Sequence, residues 1–206
     1  MIKALLFDIG GVILRTEDKR PRQQLEKRLG LQAGEAEYLV FNSEMGQQAQ
    51  KGQITTAQLW QLLQNHLHLD DNGLRQFQEE FWAGDRIDWR LIELIRVLHT
   101  SYQTAIISNA MDNLDQTVAQ FDPDGNLFDC VVGSAYEKMM KPSPEIFLRT
   151  LDRLQVAANQ AIFVDDFAHN IAGAQQVGLL TVHFNPAIDL LCEFKHLGVQ
   201  WPADVQ

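Results

Sequence analysis

The stretch Leu6-Phe7-Asp8-Ile9-Gly10-Gly11-Val12 is the one on which the reading of the whole chain turns. It closes an apolar run that starts at Ala4 and lies between Lys3 and Asp8. A short apolar run bounded by turn or charge signals fits a strand buried on both faces. A carboxylate stands where that strand ends, and the glycines beyond it let the backbone approach a ligand closely. Taken alone, the segment is equally well an aspartate that opens a turn. Its weight comes from what recurs along the chain.

Runs of the same kind occupy Thr104–Ile107, Phe128–Val132 and Ala161–Val164, with a fifth at Leu179–Phe184. Between them apolar residues recur at helical spacing: Ile87, Leu91, Ile92, Ile95 and Leu98, then Leu114, Val118 and Phe121, then Phe147, Leu148, Leu151 and Leu154. Strand followed by helix, repeated, predicts an α/β fold with a doubly wound parallel sheet. Ser143 before Pro144 has the form of an N-cap followed by proline in the first turn, and Asp112 and Thr16 are weaker helix starts.

The alternation is interrupted from about Arg15 to Asp85, a stretch that reads as helical and offers no strand. Within it Thr55 to Gln58 has the capping-box pattern, and Leu59, Trp60, Leu63 and Leu67 follow at helical spacing. The expected division is a core of residues 1–14 and 86–206 with an inserted α-helical cap at 15–85. Placed directly after the first strand, the insertion would lie over the C-terminal edge of the sheet, where open α/β folds bind ligands.

Length and composition suit one domain with a modest insertion: 206 residues, 46% hydrophobic and 21% charged. A formal net charge of −10 disfavours nucleic acid and anionic membranes as partners, since both attract Lys and Arg. The apolar start Ile2–Phe7 is too short for a secretory segment and no spanning helix stands out, so the expected location is cytoplasmic. Cys130 and Cys192 have no CxxC-type spacing and are expected to pack inside a protein of a reducing compartment. Nothing in the sequence speaks to oligomeric state.

Four polar groups stand at or beyond the ends of four different expected strands: Asp8, Ser108, Lys141 and the pair Asp165–Asp166. In a parallel sheet those ends face one way, so the groups can converge. Asp8 is a carboxylate able to attack phosphorus and form an acyl phosphate. Two carboxylates at about 4 Å repel by roughly 4 kcal/mol at an effective dielectric near 20, which a cation relieves. Oxygen-only ligands favour a hard ion, magnesium before calcium. The plainer reading of Asp165–Asp166 is a solvated turn. Lys141, followed by Pro142 and Pro144, is held where it can neutralise Asp8 and a phosphoryl oxygen together. Ser108 and Asn109 offer a hydroxyl and an amide to a substrate oxygen, although both types also cap helices. Trp60, Trp82 and Trp89 either line a substrate pocket or pack in a core, the second being commoner. His66 and His68 do not share a helix face and are assigned no metal.

In order, these segments resemble the four motifs of the haloacid dehalogenase (HAD) superfamily, over nearly the whole chain. The helical insertion resembles the small cap of its glucose-1-phosphate phosphatase-like members and of the N-terminal phosphatase domain of soluble epoxide hydrolase. The resemblance implies a HAD-like Rossmannoid core, Asp8 as nucleophile, Ser108 as the phosphate-binding hydroxyl and Lys141 as the family lysine. It further implies Mg2+ bound by the carboxylates of Asp8 and Asp166, with Asp165 supporting the site and the backbone carbonyl of Gly10 completing it. The activity implied is a magnesium-dependent phosphatase acting on a small phosphorylated metabolite through an aspartyl-phosphate.

One departure stands out. Most family phosphatases carry a second Asp two residues after the nucleophile, where this chain has Gly10. A carbonyl survives that change; the usual general acid and base does not, and its loss typically costs about 10²–10⁴ in rate. Some glucose-1-phosphate phosphatase-like members resemble this chain in having Gly there. Glu17, Asp18 and His169 are the candidate substitutes, although a His in the first turn of a helix more often faces solvent. Two alternatives stay open: a phosphate- or metabolite-binding protein that has lost turnover, and a 2-haloacid dehalogenase, against which Asp165–Asp166 argues. Arg15–Asp18 and Glu44–Gln50 are candidate specificity segments.

Overall fold

The computed structural model describes residues 1–201. Its strands are β1 (Ala4–Phe7), β2 (Leu14–Thr16), β3 (Asp85–Ile87), β4 (Gln103–Ser108), β5 (Cys130–Gly133), β6 (Ala161–Asp165) and β7 (Leu180–His183). Five of them form one parallel sheet in the order β5-β4-β1-β6-β7. The chain crosses from β1 to one side and later to the other, which makes β1 the switch point beside which such sheets bind ligands.

The helices are α1 (Arg20–Leu29), α2 (Glu35–Glu37), α3 (Glu44–Gln50), α4 (Thr56–His66), α5 (Asp71–Trp82), α6 (Trp89–His99), α7 (Leu114–Val118), α8 (Ser134–Glu137), α9 (Pro144–Leu154), α10 (Ala168–Gln176) and α11 (Leu190–His196), with a π-helical turn at Tyr38–Asn42. Residues of β1 alternate between two cores. Leu5 and Phe7 pack with Leu91, Ile92 and Ile95 of α6, while Ala4 and Leu6 pack with Ile146, Phe147 and Leu151 of α9. Helices on both faces explain why the strands read as unbroken apolar runs. Each fully buried Leu, Ile or Phe contributes about 1.5–3 kcal/mol of transfer free energy.

Helices α1 to α5 share a third core built around Leu25, Leu59, Leu63, Phe77 and Phe81. Thr55 caps α4 with the reciprocal Thr55–Gln58 box that the sequence predicts. The stretch expected to lack strands is bracketed by two: β2 and β3 pair antiparallel, Leu14 opposite Ile87 and Thr16 opposite Asp85. Three residues are too few to show a period, so neither strand is legible in advance.

Smaller expectations are corrected. Thr16 is a strand residue, not a helix start. Ser143 is at the N-cap of α9 with Pro144 in the first turn, as expected, but its hydroxyl bonds the Glu145 carboxylate and makes no cap hydrogen bond. Asp112 sits one residue before the N-cap Asn113 and binds Thr56. Cys130 is half-buried and Cys192 is exposed, so internal packing does not account for the second thiol. Among the described residues no helix is long and apolar enough to cross a membrane.

Candidate active site

The strand-end residues come together at one edge of the sheet. Asp8 directly follows β1, tied there by its N–H to the Val164 carbonyl at 3.0 Å, and its Oδ1 accepts from the Ile9 N–H at 2.7 Å. Lys141, 2% exposed, reaches from the loop before α9 and places Nζ 2.9 Å from Asp8 Oδ2 and 2.7 Å from Asp165 Oδ2. Asp165 ends β6 and is fully buried. Besides Lys141, it accepts from the Phe167 N–H at 2.8 Å and from Asn170 Nδ2 at 3.0 and 3.1 Å.

Those contacts divide the acidic pair. Asp165 has both oxygens engaged by protein donors, which suits it to holding Lys141 in place. Asp166 is different: its Oδ1 is buried and meets no hydrogen-bond partner among the described residues. One oxygen each from Asp8, Asp165 and Asp166 lie within 4.8 Å of one another. Burial drives the Asp8 carboxyl up to about 7; the Lys141 ammonium opposes that rise and the Asp165 charge adds to it. Burial, then the charge of Asp165, also raises Asp166. An orphaned carboxylate oxygen among oxygen donors that resist ionising together fits a hard divalent cation. The Gly10 carbonyl accepts no hydrogen bond from the described residues and is free to join the set.

The two glycines after Asp8 do different work. Gly11 has φ +74°, and a Cβ there would collide with the Asp166 carboxylate, so the turn and the acid occupy adjoining space. A Cβ on Gly10 would meet nothing within 4 Å.

Ser108 ends β4 beside β1, 5% exposed, with its hydroxyl hydrogen-bonded to none of the described residues. Asn109 has a task that its sequence gives no hint of. Its Oδ1 accepts from the Lys141 N–H at 2.8 Å and its Nδ2 donates to the Lys141 carbonyl at 3.0 Å. Its amide is thus spent on the backbone of the lysine instead of being offered to a substrate. Nothing in the strand-end pattern points to Asn170 either. The only signal is its place five residues after Asp165, in the first turn of α10, from which it reaches back to that acid.

The candidate substitutes for an acid at position 10 fare poorly. Asp18 is bound by Arg20 at 2.7 Å, and the Arg20 hydrogen bonds pull its carboxyl down to about 2, leaving no proton to give near neutrality. Glu17 pairs with Arg15 at 3.3 Å. His169 is exposed, its ring 5.3 Å from that of Phe167. Trp60 packs on Phe77 in the core of α1 to α5, whereas Trp82 and Trp89 are exposed. A cavity of about 590 Å³ opens among Tyr38, Leu39, Ser43, Glu44, Met45 and Gln48, and none of the converging residues lines it.

Residues 2–178 match the haloacid dehalogenase-like hydrolase family. The chain belongs to that family. Among its relatives, the sesquiterpene phosphatase astK of Aspergillus oryzae is 26% identical over 196 residues, 95% of this chain and 96% of that protein. The mouse bifunctional epoxide hydrolase 2 is 24% identical over 223 residues, 98% of this chain, which spans only 40% of that protein. A wild-type HAD family enzyme of Bacteroides thetaiotaomicron, solved with magnesium and inorganic phosphate, shares the fold at a TM-score of 0.79 and 24% identity, over 94% of this chain and all of that one.

Proposed function

We propose that this chain is a magnesium-dependent phosphatase acting on a small phosphorylated metabolite, with residues 15–85 serving as a cap over the sheet edge. The observation that carries the proposal is a division of labour among three acids. Lys141 is wedged between Asp8 and Asp165, while Asp166 keeps a buried oxygen with no partner among the described residues. The phosphatase among the relatives and the magnesium and phosphate bound in the structural neighbour support the same reading. The net charge of −10 and the two unpaired thiols fit a cytoplasmic setting.

In this mechanism an oxygen of Asp8 attacks phosphorus in line as the bond to the leaving oxygen breaks, giving an aspartyl-phosphate and the freed alkoxide. Lys141 favours the ionised form of Asp8 against the burial that raises its carboxyl, and Asp165 with Asn170 keeps Lys141 aimed. The Ser108 hydroxyl donates to a phosphoryl oxygen. Water then attacks phosphorus, releasing inorganic phosphate and restoring the carboxylate. Asp8, Asp166 and the Gly10 carbonyl would hold magnesium, which when bound would supply positive charge to offset that of the phosphoryl group. No side chain at position 10 protonates the leaving oxygen, so that proton comes from solvent, and phosphates with acidic leaving groups turn over fastest.

Gly10 also supports a second reading, a phosphate- or metabolite-binding protein without turnover. One experiment separates the two: phosphate release from a substrate panel, with and without Mg2+, by the wild type and by Asp8→Asn. The phosphatase reading expects release that requires the metal, favours good leaving groups and disappears in the variant. Release that survives in Asp8→Asn or in EDTA overturns it. Magnesium-dependent phosphate binding with no turnover across the panel assigns the second reading, and fluoride release from fluoroacetate in EDTA assigns a dehalogenase.

A further inference from the structure

Five consecutive residues after the middle of β4 face two different parts of the molecule. Ser108 and Asn109 belong to the site, the second through its two hydrogen bonds to the Lys141 backbone. Met111 and Asp112 contact the cap directly, whereas Ala110 packs against the sheet core and reaches the cap only through Ser134. Met111, 7% exposed, is buried in the hydrophobic cluster of α1 to α5, in which every other buried member comes from residues 25 to 81. The Ala110 N–H donates to Ser134 Oγ at 3.0 Å, and that fully buried hydroxyl lies 2.6 Å from the Gln50 carbonyl at the end of α3. Asp112 Oδ1 accepts from the N–H of Thr56 at 2.9 Å and from its hydroxyl, at the start of α4.

We propose that Met111 is a positioning residue. Seated in the cap, it fixes the Ser108–Asp112 loop and, through Asn109, the backbone of Lys141, so that the cap core sets the geometry of the phosphate site. The physical basis is rigidity over a short span. Two successive anchors in the cap, Met111 and Asp112, with Ala110 tied to it through Ser134, leave a two-residue lever from Met111 to Asn109, and packed interiors transmit small displacements instead of absorbing them. A loop released at Met111 keeps its chemical groups and loses their aim. The kinetic part of this inference rests on the phosphatase reading above; the structural part does not.

The test compares two cavities cut in the same cluster of the full chain in Mg2+. Met111→Ala empties the seat of the loop, whereas Leu25→Ala, on α1, makes a similar void away from it. Amide exchange by NMR reads the anchors directly, at the Ala110 N–H on Ser134 and the Lys141 N–H on Asn109. Both amides are expected to exchange faster in Met111→Ala and to keep wild-type rates in Leu25→Ala. Turnover in Met111→Ala is expected to fall about 10–100-fold, mainly in kcat, as for a small misplacement made at a distance, with Met111→Leu restoring it. Unchanged exchange at Lys141 in Met111→Ala, or equal acceleration in both cavity variants, overturns the proposal. Should Met111→Ala fail to fold, Asp112→Ala cuts a neighbouring exposed anchor and is read at the same two amides. A wild type that neither hydrolyses nor binds phosphate refutes the phosphatase reading, and the exchange comparison still decides this one.

Discussion

Lys141 and Arg22 are both cations buried against carboxylates, but only one of their clusters is closed. Arg22, on α1, gives Nε to the Phe81 carbonyl at 2.8 Å, Nη1 to Glu37 at 3.1 Å and Nη2 to both oxygens of Asp85 at 3.0 Å. Its guanidinium also lies 4.2 Å from the centroid of the Phe81 ring, and Asp85 takes a further bond from the Thr16 hydroxyl at 2.7 Å. Planar geometry and five donors let arginine finish such a network by itself. The lysine cluster is left unfinished: among the described residues nothing bonds the buried Oδ1 of Asp166 or the Ser108 hydroxyl, whereas burial raises a carboxyl in both clusters, Asp8 here and Asp85 there. What distinguishes the candidate site from structural ionic glue is thus spare bonding capacity, since buried charge and short ion pairs occur in both.

Charge removal breaks that comparison most directly. Lys141→Met and Arg22→Met each strand buried carboxylates, and each is expected to cost about 3–5 kcal/mol of stability in chemical denaturation. Turnover should part them, falling about 10³-fold or more in Lys141→Met while staying within about threefold per folded molecule in Arg22→Met. Equal kinetic losses would mean that the arginine network is part of the machinery.

A gain of function is the next largest effect. A Cβ at Gly10 meets nothing within 4 Å, so a side chain can start there without displacing a neighbour. Gly10→Asp is therefore expected to raise hydrolysis of alkyl phosphates about 10²-fold while changing aryl phosphates little. No change with either class would show that another group already supplies the proton.

The smallest effect concerns proton and metal linkage. The folded chain holds the Asp8 proton up to about pH 7, whereas the unfolded carboxyl releases it near 3.8. Without a divalent cation, stability should therefore decline as pH rises between those values and level off above the upper one. Asp166, raised in the same direction, adds to the decline. Magnesium at 100 times its dissociation constant is expected to restore about 2.7 kcal/mol where the acids are ionised. The melting temperature should then respond to Mg2+ more at about pH 8 than at about pH 5, and Asp166→Asn should lose the response.

How far this was legible in the sequence follows from which contacts are local. Asp8, Ser108 and Asp165 are readable because buried apolar strands end abruptly at polar residues, and parallel strands must end on one side. The Thr55–Gln58 cap is readable because its partners are three residues apart. The roles of Asn109 and Asn170 are hidden because an Asn carries no mark of its partner: Asn109 bonds a backbone 32 residues away. Met111 deceives in another way. An apolar residue after a core strand reads as part of that core, but it packs among helices drawn from residues 25 to 81. Spacing alone does not divide the paired acids; the family resemblance casts Asp166 as the ligand and Asp165 as its support, and the donors gathered around Asp165 give that difference a physical basis.

The adjacent glycines of the β1 turn point to an uneven mutational terrain. Position 11 is barred to every side chain by its left-handed backbone and the carboxylate pressed against it, whereas position 10 has neither obstacle. A saturation library across the pair should therefore return variants freely at the first glycine and almost none at the second. Laboratory selection for new leaving-group preferences has an unobstructed entry point one residue away from a locked one.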